Sequence, residues 1–68
     1  MSYDSNLIRF KELKASLPDN RLIQVCVDRY EINLIKFKLT ECSKYEIILN
    51  ALGKILDTFM NINFRSRL

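Results

Sequence analysis

The clearest pattern of apolar and polar positions lies in residues 43–60, SKYEIILNALGKILDTFM. Apolar residues recur there at intervals of three and four, with polar residues such as Asn50 between them, so one face of an α-helix would be apolar. Ser43, followed three residues later by Glu46, is a capping box that satisfies free N–H groups at a helix start. Gly53 weakens a helix by about 1 kcal/mol relative to alanine, or it marks a close backbone approach by a partner. We predict a helix here whose apolar face must be covered.

The N-terminal segment, residues 1–19, shows a weaker helical pattern. Leu7 and Phe10 begin a row of apolar residues at intervals of three and four, with charged residues between them. Pro18 ends the pattern, because proline has no backbone N–H and restricts the residue before it. We predict a short helix in this N-terminal extension, followed by a connector at residues 16–20. An alternative is that Ser16 caps a long second helix.

Residues 21–27, RLIQVCV, alternate instead. Successive side chains of an extended chain point to opposite sides. One side would hold Ile23, Val25 and Val27, and the other Leu22, Gln24 and Cys26. β-branched residues dominate the first side and favour a strand. We predict a short strand that is apolar on both faces, and such a strand is buried or contacted by a partner.

The sequence DRYE follows this predicted strand and is a second capping-box pattern, with Asp28 as the cap and Glu31 three residues on. It predicts a helix over the run RYEINLIKFKL, ending at a joint formed by residues 40–42. The same run alternates as a strand if a bulge is placed at Leu34–Ile35. The resulting hairpin is disfavoured, because Asp28-Arg29 is a poor two-residue turn.

The composition limits the architecture and the chemistry. The chain has 68 residues, enough for one small domain, and such domains often need oligomerisation to complete a core. It has no histidine and two cysteines, which predicts no metal site and no disulfide framework. Neither a phosphate loop nor a nucleophile–base arrangement is present, so we predict no catalysis and no cofactor.

Charge and hydropathy indicate the compartment and the partner. No apolar run approaches the roughly 20 residues of a membrane span, and the N-terminus does not resemble a signal peptide. We therefore predict a cytoplasmic protein without a membrane partner, with Cys26 and Cys42 as free thiols. The net charge of +3 permits binding to nucleic acid.

The order strand, capped helix, joint, capped helix resembles the ribbon-helix-helix family of DNA-binding proteins over residues 21–60. RLIQVCVD matches the strand and its capping residue, and SKYEIILNALGKIL is similar to the second helix of the family. Glu41-Cys42 stands where the family has a glycine. The resemblance implies a mainly α fold of one short strand and two helices, with an extra N-terminal helix. The domain would span residues 20–62, followed by a frayed tail at 63–68.

The resemblance also implies a function and a set of site residues. Two chains would form a homodimer whose two-stranded ribbon enters the major groove of double-stranded DNA, as in a transcriptional repressor. The residues predicted to read base edges are Leu22, Gln24 and Cys26. Those predicted to contact phosphates are Arg21, Arg29, Ser43 and Lys44. The predicted dimer core comprises Ile23, Val25, Val27, Ile48, Leu52, Ile55 and Phe59.

An alternative fold is an all-α helical hairpin, in which Ser16 caps a helix that runs to about Leu39 and residues 22–39 are apolar on every side. Such a helix needs burial in a partner protein. This alternative resembles the small hairpin co-chaperones of type III secretion needles, and it implies a protein-binding adaptor that does not bind DNA. The two hypotheses differ in the conformation of residues 21–27.

Overall fold

A computed structural model describes residues 3–66, and the side chains of residues 3–62, as three α-helices. Helix α1 spans Tyr3–Ser16, α2 spans Arg21–Thr40 and α3 spans Ser43–Ser66. No strand occurs between residues 3 and 66. The predicted fold of a strand and two helices is therefore wrong, as is the ribbon-helix-helix resemblance, which requires a strand. The all-α alternative fits the structure, although α2 begins at Arg21 and not at Ser16.

Residues 21–27 are helical because their apolar side chains continue a helical row beyond the segment. Ile23, Val27, Tyr30 and Leu34 are all buried, at intervals of four, three and four. The β-branched residues favour a strand only weakly, and this packing outweighs the preference. Asn20 starts the helix: its side chain accepts a hydrogen bond from the Ile23 N–H at 3.2 Å.

Asp28 and Glu31 do not cap a helix, because α2 passes through both residues. Their carboxylates instead pair with bases of α1, Asp28 with Lys14 and Glu31 with Lys11. The second capping-box prediction is therefore wrong. The spacing of three that suggested a cap places two acids on the side of α2 that meets α1.

The joint between α2 and α3 reverses the chain within residues 41–42. Glu41 adopts a left-handed conformation with φ of 54°, and its N–H donates to the Phe37 carbonyl at 2.7 Å. The Cys42 carbonyl then accepts from the Tyr45 N–H at 3.1 Å in the first turn of α3. A joint this short makes α2 and α3 an antiparallel hairpin.

The core lies where the three helices meet. Tyr30 is at its centre, fully buried, with its ring edge-to-face against Phe10 at 5.1 Å between centroids. Leu49 and Leu56 of α3 are also fully buried. The apolar face predicted for residues 43–60 is therefore covered largely by α1 and α2 of the same chain.

Helix α1 lies along one side of the hairpin. The Tyr3 hydroxyl donates to Asn50 Oδ1 at 3.1 Å, and Arg9 pairs with Asp57 at 3.0 Å, so α1 runs parallel to α3. Ion pairs to α2 run in the opposite order along the chain. They are Asp4–Lys38, Lys11–Glu31 and Lys14–Asp28.

The C-terminal part of α3 continues to Ser66, into the segment predicted as a frayed tail, residues 63–68. Arg67, Leu68 and the side chains of residues 63–66 lie outside the described part of the chain. Within residues 3–66, the apolar stretches of the helices are too short for any helix to cross a bilayer.

Candidate functional site

Large apolar side chains are exposed along the hairpin. In α3, Ile48, Ile55 and Ile62 recur every seven residues with exposed fractions of 39%, 53% and 62%. Apart from Ile8 of α1, every large apolar side chain exposed among residues 3–62 belongs to α2 or α3. Those of α2 are Leu22, Val25, Ile32, Ile35 and Leu39.

The isoleucines of α3 lie on the side of the helix away from α1. Asn50 and Asp57 mark the side that contacts α1, through Tyr3 and Arg9. Ile48 and Ile55 each precede one of these residues by two positions, which is about 200° around an α-helix. Ile62 follows Ile55 by seven positions and therefore continues the same row.

The same offset separates two sides of α2. Gln24, Glu31 and Lys38 contact α1. Leu22, Arg29 and Lys36 precede them by two positions each, and so lie about 200° away. Val25 and Ile32 follow Leu22 and Arg29 by three positions and complete this row.

We call the surface formed by these two rows the open face. In α2 it comprises Leu22, Val25, Arg29, Ile32 and Lys36, and in α3 it comprises Lys44, Ile48, Ala51, Ile55 and Ile62. All ten residues are exposed. Both rows advance by steps of three and four, except for one step of seven from Ile55 to Ile62. This is the spacing at which one helix accepts the side chains of another.

The open face carries positive charge and no acid. Of the acidic residues of α2 and α3, Asp28, Glu31 and Asp57 form ion pairs with α1. Glu46 lies four residues before Asn50 and therefore on the same side of α3. Lys36 and Lys44 converge near the joint, with their Nζ atoms 6.0 and 5.0 Å from the centroid of the Tyr45 ring. Arg29 forms no ion pair within residues 3–62.

The residues predicted to read bases do not share a surface. Leu22 is exposed on the open face, whereas Cys26 is buried in the core. Gln24 is half-buried, and its amide donates to the Lys14 and Leu17 carbonyls, each at 2.9 Å. Gln24 thus adds a second hydrogen bond to two carbonyls at the end of α1 and just beyond it, which also accept from the Leu17 and Asn20 N–H groups.

The four residues predicted to contact phosphates, Arg21, Arg29, Ser43 and Lys44, are all exposed. The ribbon that was to place the base-reading side chains beside them is absent between residues 3 and 66. DNA binding and homodimerisation are not tested by these observations and stay predictions.

The predicted dimer core divides into three groups. Ile23 and Val27 are buried within the chain itself, and Leu52 and Phe59 pack partly buried against the same core. Val25, Ile48 and Ile55 lie on the open face.

Sequence reasoning missed Leu22, Ile32 and Ile62 as members of one apolar surface. The repeat of isoleucine every seven residues from Ile48 was a signal that could have found Ile62. It was missed because the predicted helix stopped at residue 60.

Other chemistry in the described part of the chain is sparse. Within residues 3–62, where side chains are described, no group of three or more acidic or cysteine side chains could hold a metal ion. Cys26 and Cys42 are free thiols, one buried and one exposed. The Tyr30 hydroxyl is buried without a well-formed hydrogen bond, and burial raises its pKa, an effect that the Asn6 side chain opposes.

Comparisons with protein-family models, with curated proteins and with solved structures gave no significant match to the chain.

Proposed function

We propose that the chain is a protein-binding adaptor that takes up an amphipathic helix of a partner on its open face. The observation that carries this proposal is the pair of exposed apolar rows, each with helical spacing, on the side of the hairpin opposite α1. The partner helix would take the fourth position of a four-helix bundle, beside α2 and α3. This is the protein-binding alternative of the sequence analysis.

The energetics of association support a long contact of this kind. Burying an aliphatic side chain completely contributes about 1.5–3 kcal/mol, and less where the side chain is already half-covered. Association itself costs at least about 4 kcal/mol in lost freedom of motion. Several side chains must therefore be buried together. The row from Ile48 to Ile62 extends over about 21 Å of helix and can supply three isoleucines at once.

The first prediction is that displayed helices bind the open face. A phage library of helices about 20 residues long, apolar at heptad positions and randomised at the flanking ones, is selected on the intact chain. Selected helices should bind Ile55→Asp at least about tenfold more weakly than wild type, because the carboxylate would be buried without a partner. Binding is measured by fluorescence anisotropy.

Ile8→Asp is the matched control. Ile8 is as exposed as the isoleucines of the open face but lies on α1, so this variant should bind like wild type. Circular dichroism must first show that both variants keep the helical content of the wild type. The proposal is overturned if no helix is enriched on wild type, or if the enriched helices bind Ile55→Asp unchanged.

A further inference from the structure

We infer that the partner helix is acidic beside its apolar stripe, an inference that rests on the proposed function. Every charged residue of the open face is basic, namely Arg29, Lys36 and Lys44. The acids of the hairpin helices lie on the other side, and three of them pair with α1. A helix docked on the open face therefore meets the apolar groups and positive charges of these two rows, and the acid nearest in sequence, Glu41, belongs to the joint and not to either row.

The charges are placed at one end and in the middle of the open face. Lys36 and Lys44 stand at the end nearest the joint, each with its Nζ atom near the Tyr45 ring. Arg29 lies about two turns further along α2. The opposite end carries Leu22 and Ile62, which are apolar. Glutamate or aspartate should accordingly flank the half of the partner helix that lies near the joint.

A second copy of the chain is a poor occupant of this surface. Two copies joined through their open faces about a twofold axis would bring both sets of Arg29, Lys36 and Lys44 into one interface, with no acid from either open face to neutralise them. Like charges placed together oppose association, and a complementary partner avoids that repulsion. Charge therefore favours a different, acidic chain over self-pairing.

The second prediction concerns the flanking residues of the selected helices. The library offers glutamate, glutamine or lysine at each flanking position. Glutamate should be enriched over lysine on wild type, and the preference should reverse on a variant with Arg29→Glu, Lys36→Glu and Lys44→Glu. Lys11→Glu is the control, because Lys11 lies on α1, away from the open face, and should leave the preference unchanged.

Salt dependence on wild type is a second measurement that needs no variant. The Kd of a selected helix should rise about threefold to tenfold between about 50 and 500 mM NaCl, because salt screens exposed charge pairs. Sedimentation equilibrium of the free chain, wild type and Ile55→Asp, tests for self-pairing through the open face.

The outcomes separate the two proposals. Helices enriched without glutamate, or with a Kd unaffected by salt, overturn the acidic partner while leaving helix binding in place. A wild-type dimer that Ile55→Asp dissociates also overturns it, because a second copy then occupies the open face. If no helix is enriched at all, the proposed function itself fails.

Discussion

Tyr30 combines the largest buried side chain of the core with a hydroxyl that has no well-formed hydrogen bond within the described residues. The ring fills the space between Phe10 and Gly53, where a Cβ on the glycine would lie 3.8 Å from Tyr30 Cε2. This is an ordinary contact distance, so packing within the chain does not require glycine at residue 53. The hydroxyl is a polar group in an apolar core, and no well-formed hydrogen bond offsets the cost of removing it from water.

The third prediction is that Tyr30→Phe does not lower the free energy of unfolding by more than about 1 kcal/mol at neutral pH. It can even raise this free energy, because the substitution removes a buried polar group that has no strong partner. Burial raises the pKa of Tyr30 above 10.0, so the unfolded chain loses this proton first. The contribution of the neutral hydroxyl is full below pH 10 and declines above it. Urea unfolding at pH 8–11 should show a smaller alkaline decline in the variant. Identical pH profiles would contradict this.

Glu41 supplies the left-handed residue at the end of α2, a position that glycine occupies more easily. The fourth prediction is that Glu41→Gly raises the free energy of unfolding by about 1 kcal/mol, because an L-residue in this conformation is strained by its Cβ. Thermal or urea unfolding measures the change. Glu41→Ala removes the carboxylate but keeps the Cβ, and it should not stabilise the chain. Destabilisation by both variants would show that the carboxylate matters more than the strain.

Helix α3 has two apolar sides, one packed in the core and one on the open face. Leu56 is fully buried in the core, whereas its neighbour Ile55 is 53% exposed on the open face. The fifth prediction is that Leu56→Ala lowers the free energy of unfolding by about 2–5 kcal/mol, because it leaves a cavity. Ile55→Ala should lower it by less than about 1 kcal/mol. Urea unfolding of the pair measures both, and equal losses would show that Ile55 belongs to the core.

A helix could be predicted where its pattern of apolar residues was long enough to show the helical period. In residues 43–60 the helical period is sustained over five turns, and the start of α3 at Ser43 could be recognised. Residues 21–27 are too few to distinguish the two-residue period of a strand from the 3.6-residue period of a helix. Ile23 and Val27 fit both, because they are four residues apart. Tyr30 and Leu34 continue the helical step, but the Asp28 pattern suggested that a new element begins there.

The open face depends on how all three helices pack, and it could not be predicted from the sequence alone. Its apolar residues could be found, but their exposure depends on which side of the hairpin α1 covers. That side is determined by contacts between residues far apart in sequence, such as Tyr3 with Asn50 and Arg9 with Asp57. Local periodicity does not contain this information. The dimer core was predicted because the sequence did not show that α1 and α2 cover the apolar face of α3, so a second chain was expected to cover it.

The short connections between the helices have a kinetic consequence. Neighbouring helices meet across residues 17–20 and 41–42, and small helical proteins with mostly local contacts fold within microseconds to milliseconds. The open face therefore forms before a partner binds. Until then it is exposed to solvent and can meet the open faces of other copies of the chain. Arg29, Lys36 and Lys44 interrupt its apolar rows and repel the same surface on another copy. The charges proposed to select an acidic partner would thus also protect the unbound chain from aggregation.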